Sequence, residues 1–227
     1  MQARRFAALF ALLGLTACAA SATNAPFPNP AYDEPKTTTH GTETAVLAGG
    51  CFWGMQSVFE HVRGVRQVWA GYSGGNASTA EYDTVSEGNT GHAESVKIAF
   101  DPAVLSYGQL LKIYFAVAHD PTTLNRQGPD AGTQYRSEIF YANPEQKKIA
   151  DAYIAQIDAA KVFEDRIVTQ VQPLTGFYPA EDYHQDYARK HPNNPYILIN
   201  DAPKVAHLKQ AFPGMYQDEQ MVVDVRL

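Results

Sequence analysis

Cys51 is where chemistry is easiest to place in this 227-residue chain. Glycines bracket it in Ala48-Gly49-Gly50-Cys51-Phe52-Trp53-Gly54-Met55, and two large aromatics follow the sulfur directly. A β-type run over 42–48 precedes it, and Phe52, Met55, Phe59 and Val62 recur downstream at helical spacing. The thiol is therefore predicted where a strand turns into the first turn of a helix. Unpaired amide N–H groups and the positive end of the helix dipole favour a thiolate there. Free cysteine is also among the most buried residue types, so position alone leaves nucleophile and core filler equally open.

A nucleophile needs partners. Thiol hydrolysis calls for a histidine base and a group that orients it, and His92, His119 and His184 are available, though spacing sets none of them beside Cys51. No Cys-x-x-Cys or His-x-x-x-His occurs, so no metal site is predicted, and no phosphate-binding glycine loop is present. Two polar segments are rich in hydrogen-bond donors: Glu81-Tyr82-Asp83 leading to Gly91-His92-Ala93-Glu94-Ser95, and Gly128 to Ser137, which contains Asp130 and Tyr135. A carboxylic acid and two phenols around a thiolate can protonate and hold a substrate oxygen. In an apolar pocket the carboxyl pKa rises, which keeps its proton available near neutral pH. A solvated glutamate and half-buried tyrosines account for the same residues taken singly.

These groups depend on the elements that carry them. Strands are predicted at 42–48, 65–72, 95–100, 136–141 and 168–171, with an irregular polar segment over 74–94. Helices are predicted at 52–62, from a capping box of Ser106 and Gln109 to about 118, and from Pro144 to about 161. The first six elements run β-α-β-β-α-β, the order of a ferredoxin-like split β-α-β sandwich of the α+β class. From Leu174 the chain is rich in Pro, Tyr and Asn, with a short helix near 180–187, and reads as a long irregular wrap over the domain.

The N-terminus reads as processing signal. Arg4 and Arg5 precede a short apolar run, Phe6 to Leu15, and then Leu15-Thr16-Ala17-Cys18. That tetrad resembles a bacterial lipobox, which implies cleavage before Cys18 and lipid attachment to its sulfur; ordinary secretory cleavage, leaving a soluble periplasmic protein, is the alternative. A lipidated Cys18 leaves Cys51 without an intrachain partner. The expected layout is a signal peptide at 1–17, a flexible Pro/Ala/Thr-rich tether at 18–41, a catalytic domain at 42–200 and a C-terminal extension at 201–227. Removing the signal takes two of 18 basic residues and none of the 24 acidic ones, giving a net charge of −8 that argues against nucleic-acid binding. The implied location is the cell envelope, facing the periplasm, with the membrane touched only through the anchor. Ala19 and Ala20 after the lipobox point weakly to the outer membrane.

Four motifs in order carry a family resemblance: Gly50-Cys51-Phe52-Trp53-Gly54, Gly91-His92-Ala93-Glu94, Gly132-Thr133-Gln134-Tyr135-Arg136-Ser137 and Tyr183-His184-Gln185-Asp186-Tyr187. Together they resemble peptide methionine sulfoxide reductase A, over about residues 43–190. The resemblance implies a ferredoxin-like α/β roll and reduction of the S epimer of methionine sulfoxide in proteins and peptides. Under it Cys51 matches the nucleophile, Glu94 the proton donor, Tyr82 and Tyr135 the phenols that hydrogen-bond the oxygen, and Phe52 and Trp53 the wall for the substrate methyl group. Asp130 matches a supporting acid, and His184 lies in a family motif without an assigned role. Many members carry a resolving cysteine near the C-terminus; no cysteine follows Cys51 here, and Tyr196-Ile197-Leu198-Ile199-Asn200 occupies that region. The implied cycle leaves Cys51 as a sulfenic acid for an external thiol to reduce, a thioredoxin-like or glutaredoxin-like protein or dithiothreitol in vitro, with no bound cofactor and a monomeric enzyme. Two other classes stay open on the residues alone: an exported cysteine hydrolase using Cys51 and a histidine, and a non-catalytic envelope lipoprotein whose aromatic pocket binds peptides.

Overall fold

A computed structural model describes residues 27–218. Strand β1 (Glu43–Gly49) leads into helix α1 (Phe52–Glu60), and β2 (Val65–Ser73) follows. A short helix α2 (Tyr82–Ser86) interrupts the polar segment before β3 (Ala93–Phe100). Helix α3 (Tyr107–Ile113) runs on into a wider turn of helix, Tyr114–Ala118, and a small hairpin of β4 (Arg126–Gln127) and β5 (Asp130–Ala131) precedes β6 (Ser137–Tyr141). Then come α4 (Pro144–Ala159), β7 (Gln170–Pro173), β8 (Phe177–Pro179), α5 (Tyr187–Lys190) and α6 (Ala202–Ala211).

The main sheet has the order β7-β6-β1-β3-β2-β8. β1 and β2 both pair antiparallel with β3, so they run parallel to each other with β3 between them. β6 pairs antiparallel with β1 on the other side. This is the split β-α-β arrangement that the element order predicts. Alternation along β1 divides the apolar side chains: Ala45 and Leu47 join the main core with Phe59, Leu110, Tyr114 and Ile149, whereas Val46 and Ala48 meet Phe140 and Ala93 on the opposite face. The capping box of α3 forms, with the Gln109 amide N–H donating to Ser106 Oγ and the Ser106 N–H to Gln109 Oε1.

Four expectations change. β3 begins two residues earlier than predicted, so Glu94 lies within a strand, opposite Tyr72 of β2, rather than in the loop before it. The polar segment 74–94 holds α2, whose first N–H is bound by Glu181 Oε1 at 2.9 Å, a partner 99 residues away. The tether expected over 18–41 is no tether from residue 27 onward, and residues 18–26 lie outside the described chain. Tyr153 Oη donates to Pro28 O at 2.7 Å, Lys112 Nζ to Asn29 Oδ1 at 2.8 Å and the Gly108 N–H to Asp33 Oδ1 at 2.9 Å, fixing this stretch against α3 and α4. Finally, the C-terminal wrap includes α6, with Pro203 where the wider helical turn Ile197–Asp201 passes into it. α6 packs on α1, and the cut between 200 and 201 falls inside one continuous helical stretch from Ile197 to Ala211.

Candidate active site

Cys51 occupies the junction its neighbours predict, capping the N-terminus of α1 after β1 ends at Gly49. Two glycines make the junction possible. Gly50 has φ +95°, and a Cβ there would meet the Gln127 side chain at 2.6 Å. Gly54 lets the buried Asp201 carboxylate lie against the first turn of α1, where a Cβ would stand 2.1 Å from Asp201 Oδ1. Cys51 itself is 9% exposed, a free thiol with a narrow opening.

Its ionisation differs from the prediction. The helix N-terminus favours a thiolate, yet burial pushes the thiol well up, and the acids Glu94 and Asp201 push it further when ionised. The Trp53 N–H and the Tyr196 hydroxyl act the other way and are outweighed. The resting sulfur carries its proton. Glu94 is 3% exposed, and burial raises its carboxyl to about 8 even though Oε2 accepts the Phe52 N–H at 3.0 Å. The acid beside the thiol is therefore protonated at neutral pH.

Around this pair the structure gathers the phenols named by the sequence. Burial raises Tyr82 and Tyr135, and Glu94 and Cys51 raise both further whenever either ionises. Remote residues hold them there. Arg136 donates to Gly91 O at 2.9 Å, His92 O at 3.1 Å and Thr133 O at 2.9 Å, and pairs with Glu138 at 2.6 Å. It thus ties the corner before Glu94 to the turn that carries Tyr135. Gln134 Nε2 reaches Ser86 O at 3.1 Å, linking that turn to the end of α2 and so to Tyr82. Glu181 takes the Tyr82 N–H on one oxygen and Tyr72 Oη on the other, at 2.9 Å each.

The aromatic residues divide. Phe52 is 1% exposed, packed between Tyr72 and His184, and belongs to the core as well as to the site. Trp53 is partly exposed and fixed on three sides: it stacks on Tyr187 at 3.8 Å and 10°, meets the Tyr196 ring edge-on, and donates Nε1–H to His184 Nδ1 at 3.1 Å. His184 must then carry its own proton on Nε2, and burial holds the ring below its ordinary range. It positions the indole and is not a base for the sulfur. His119 lines a cleft with Cys51, but its Nδ1–H goes to Tyr114 O at 3.0 Å and its Nε2 to Ser137 Oγ at 2.7 Å, while burial lowers it to about 3. His92 bonds Asn76 O at 3.0 Å and the Gly75 N–H at 3.3 Å. All three histidines are engaged elsewhere, so the Cys–His pairing of a hydrolase is not formed.

One residue at the site went unread in the sequence. Tyr196 comes back over the site from the C-terminal wrap, its hydroxyl bonded to Asp130 and within reach of the Cys51 sulfur. A hydroxyl has one proton: Asp130 holds it at rest, and a thiolate at Cys51 can compete for it. Asp130 thus sits among Tyr196, Tyr135 and Glu94, and its charge raises all three. The only sequence signal for Tyr196 was an aromatic between Pro195 and an apolar run.

A thiol beside a protonated acid, with phenols around both and no histidine base, is equipped to take an oxygen rather than to transfer an acyl group. That makes the class a thiol-dependent oxidoreductase. Known proteins agree. The profile of the family described as peptide methionine sulfoxide reductase matches residues 43–215. A Mesorhizobium japonicum peptide methionine sulfoxide reductase MsrA 2 is 56% identical over 81% of this chain and 94% of its own length, and a Synechocystis protein of the same description is 51% identical over 88% and 96%. Among solved structures, the methionine sulfoxide reductase A of Corynebacterium diphtheriae aligns with a TM-score of 0.59 at 34% identity, covering 75% of this chain and 84% of that one. Reduced Mxr1 from Saccharomyces cerevisiae gives 0.60 at 31%, covering 69% and 92%. The chain belongs to the peptide methionine sulfoxide reductase family.

Proposed function

We propose that this protein reduces the S epimer of methionine sulfoxide in proteins and peptides through a one-cysteine cycle. Reduction of peptide methionine sulfoxide follows from membership of the family; the residue roles rest on the site. The observation that carries them is the buried, protonated Glu94 bound to the amide of the residue after the nucleophile. A sulfoxide presents a polar S=O group beside an apolar methyl, so its site needs an oxygen-binding face and an aromatic face. Glu94, Tyr82 and Tyr135 form the first, and the partly exposed Trp53 with Phe52 behind it forms the second.

Glu94 gives its proton to the sulfoxide oxygen, which makes the sulfur more electrophilic, and Cys51 attacks as its own proton passes to the carboxylate left behind. The attack forms an S–S bond between Cys51 and the substrate sulfur. The hydroxyl then passes to Cys51 Sγ as that S–S bond and the old S–O bond break, so methionine leaves with an electron pair on its sulfur and Cys51 is left as a sulfenic acid. A pocket that sorts oxygen, methyl and lone pair by position is stereoselective. No cysteine follows Cys51, so the sulfenic acid is returned to the thiol by an external dithiol of the thioredoxin or glutaredoxin type. The lipobox-like tetrad supports export and lipidation of Cys18, with the protein held at a periplasm-facing membrane surface and acting on oxidised envelope proteins.

Turnover of S- and R-methionine sulfoxide peptides with dithiothreitol tests the activity. Turnover of the S epimer alone, lost in Cys51→Ser, is expected; equal turnover of both epimers, or activity surviving Cys51→Ser, would contradict it. Lipidation is read separately by mass spectrometry of the N-terminal peptide from membranes, where an unmodified Cys18 would remove the anchor.

A further inference from the structure

The Cys51 sulfur can be approached away from Glu94, Tyr82 and Tyr135. A cleft of about 320 Å³ reaches Cys51 between the β4–β5 hairpin and the start of α6, lined among others by His119, Gln127, Gly128, Tyr196, Asn200 and Lys204. Asp130 borders it too, but Glu94, Tyr82 and Tyr135 do not line it. Tyr196 lines the cleft with its hydroxyl on Asp130 and its ring edge-on to Trp53. The cleft walls are fixed. Gln127 bonds the Asp120 N–H at 3.0 Å, Asp120 O at 2.6 Å and Thr123 Oγ1 at 3.0 Å, and Asn200 Nδ2 donates to Tyr196 O at 3.1 Å. Lys204, its side chain 24% exposed and its Nζ 3.6 Å from Asp201, brings a cation to this side of the sulfur.

Displacement at sulfur has a direction: the incoming thiolate enters opposite the bond that breaks, where the empty S–O antibonding orbital lies. When Cys51 carries the hydroxyl, its oxygen belongs with Glu94, Tyr82 and Tyr135. The attacking thiol then has to arrive from the side those residues leave free. We propose that the cleft beside Lys204 and Asn200 admits the reducing thiol, so that methionine sulfoxide and reductant reach Cys51 from different faces. The inference rests on the reductase reading above and adds the route of its second half.

The chemistry balances with a dithiol. The first thiol, as thiolate near the Lys204 ammonium, forms a bond to Cys51 Sγ while the S–O bond breaks, and the hydroxide leaves as water with the Glu94 proton. The thiol's own proton passes to solvent, from which Glu94 is reprotonated. The second thiol then attacks the reductant's sulfur of the mixed disulfide, giving the oxidised dithiol and releasing Cys51, which regains its proton. Two electrons pass from dithiol to sulfenic acid.

The test separates the two halves on the full chain. Reduced protein mixed with an S-methionine sulfoxide peptide and no thiol gives a burst of one methionine per Cys51; dithiothreitol or reduced thioredoxin is then added and the decay of the sulfenic acid followed. Asn200→Trp narrows the cleft, whereas Asn200→Ala loses the same hydrogen bond but leaves the space open. Asn200→Trp is expected to keep the burst rate and slow regeneration about tenfold, with Asn200→Ala close to wild type. Slowing with thioredoxin alone assigns the cleft to a cysteine-bearing loop of a protein, and slowing with both assigns it to thiols in general. Unchanged regeneration in Asn200→Trp, an equally slowed burst, or an equal effect of Asn200→Ala would overturn the inference. A wild-type protein without a burst would overturn the reductase cycle itself.

Discussion

Replacing Glu94 by Gln separates what the site needs from what the fold prefers. The carboxyl is raised from 4.5 to about 8, chiefly by burial, so about 90% of it is protonated at pH 7. Glutamine keeps the shape and an oxygen to accept the Phe52 N–H, but has no proton to give. General acid catalysis is worth roughly 10²–10⁴ in rate, and the methionine burst should fall by about that factor. The wild-type burst should also decline as pH rises through about 8, and that limb should vanish in Glu94→Gln. Stability moves the other way. A buried acid with a raised pKa leaves the fold undisturbed below pH 4.5 and costs it progressively as pH rises through 8. A carboxyl raised from 4.5 to about 8 corresponds to a cost on the order of 5 kcal/mol above pH 8. Glu94→Gln should therefore be more stable than wild type to urea at pH 8.5, with the difference closing by pH 4.5. A variant that keeps a burst within tenfold of wild type, or that is no more stable at pH 8.5, would refute the reasoning.

Two further outcomes follow from the same geometry. Trp53→Phe removes the Nε1–H bond to His184 Nδ1 and leaves a smaller ring on Tyr187; one such bond is worth about 1 kcal/mol, so kcat/KM for the sulfoxide should fall about fivefold, read by steady-state assay with saturating thiol. Glu60 is buried at the end of α1 beside Asp186, and burial with that neighbouring acid raises its carboxyl to about 9. Its contribution is present below pH 4.5 and lost as pH rises through 9, so the wild type should lose stability between pH 5 and 9 more steeply than Glu60→Gln and level off above that, as thermal melts over that range will show.

The strand-to-helix turn at Cys51 was legible because its glycines and the 3.6-residue spacing of Phe52, Met55 and Phe59 are local signals. The order of the first six elements was legible for the same reason. What escaped was set by distant partners. Glu94 reads as the end of a polar loop, yet pairing with Tyr72 and the grip of Arg136 on Gly91 and His92 draw it into β3. α2 is too short to announce itself, and its first amide is satisfied from Glu181. Residues 27–41 have the composition of a linker, but their polar groups find partners on α3 and α4. The site shows the same division. Cys51, Glu94, Tyr82 and Tyr135 stand in short motifs, whereas Tyr196 reaches the sulfur through a wrap whose path no periodicity records. The low pKa predicted from the helix N-terminus failed because a dipole effect worth about 0.3–1 kcal/mol is smaller than the desolvation of a thiolate in a buried site.

The central claim is that one sulfur takes the oxygen and holds it. Reduced protein exposed to an S-methionine sulfoxide peptide without any thiol, then trapped with dimedone and digested, tests it directly by mass spectrometry. The account predicts one methionine released per chain and the dimedone adduct on Cys51. Methionine release without an adduct at Cys51, or an acyl group on that sulfur in its place, would contradict it.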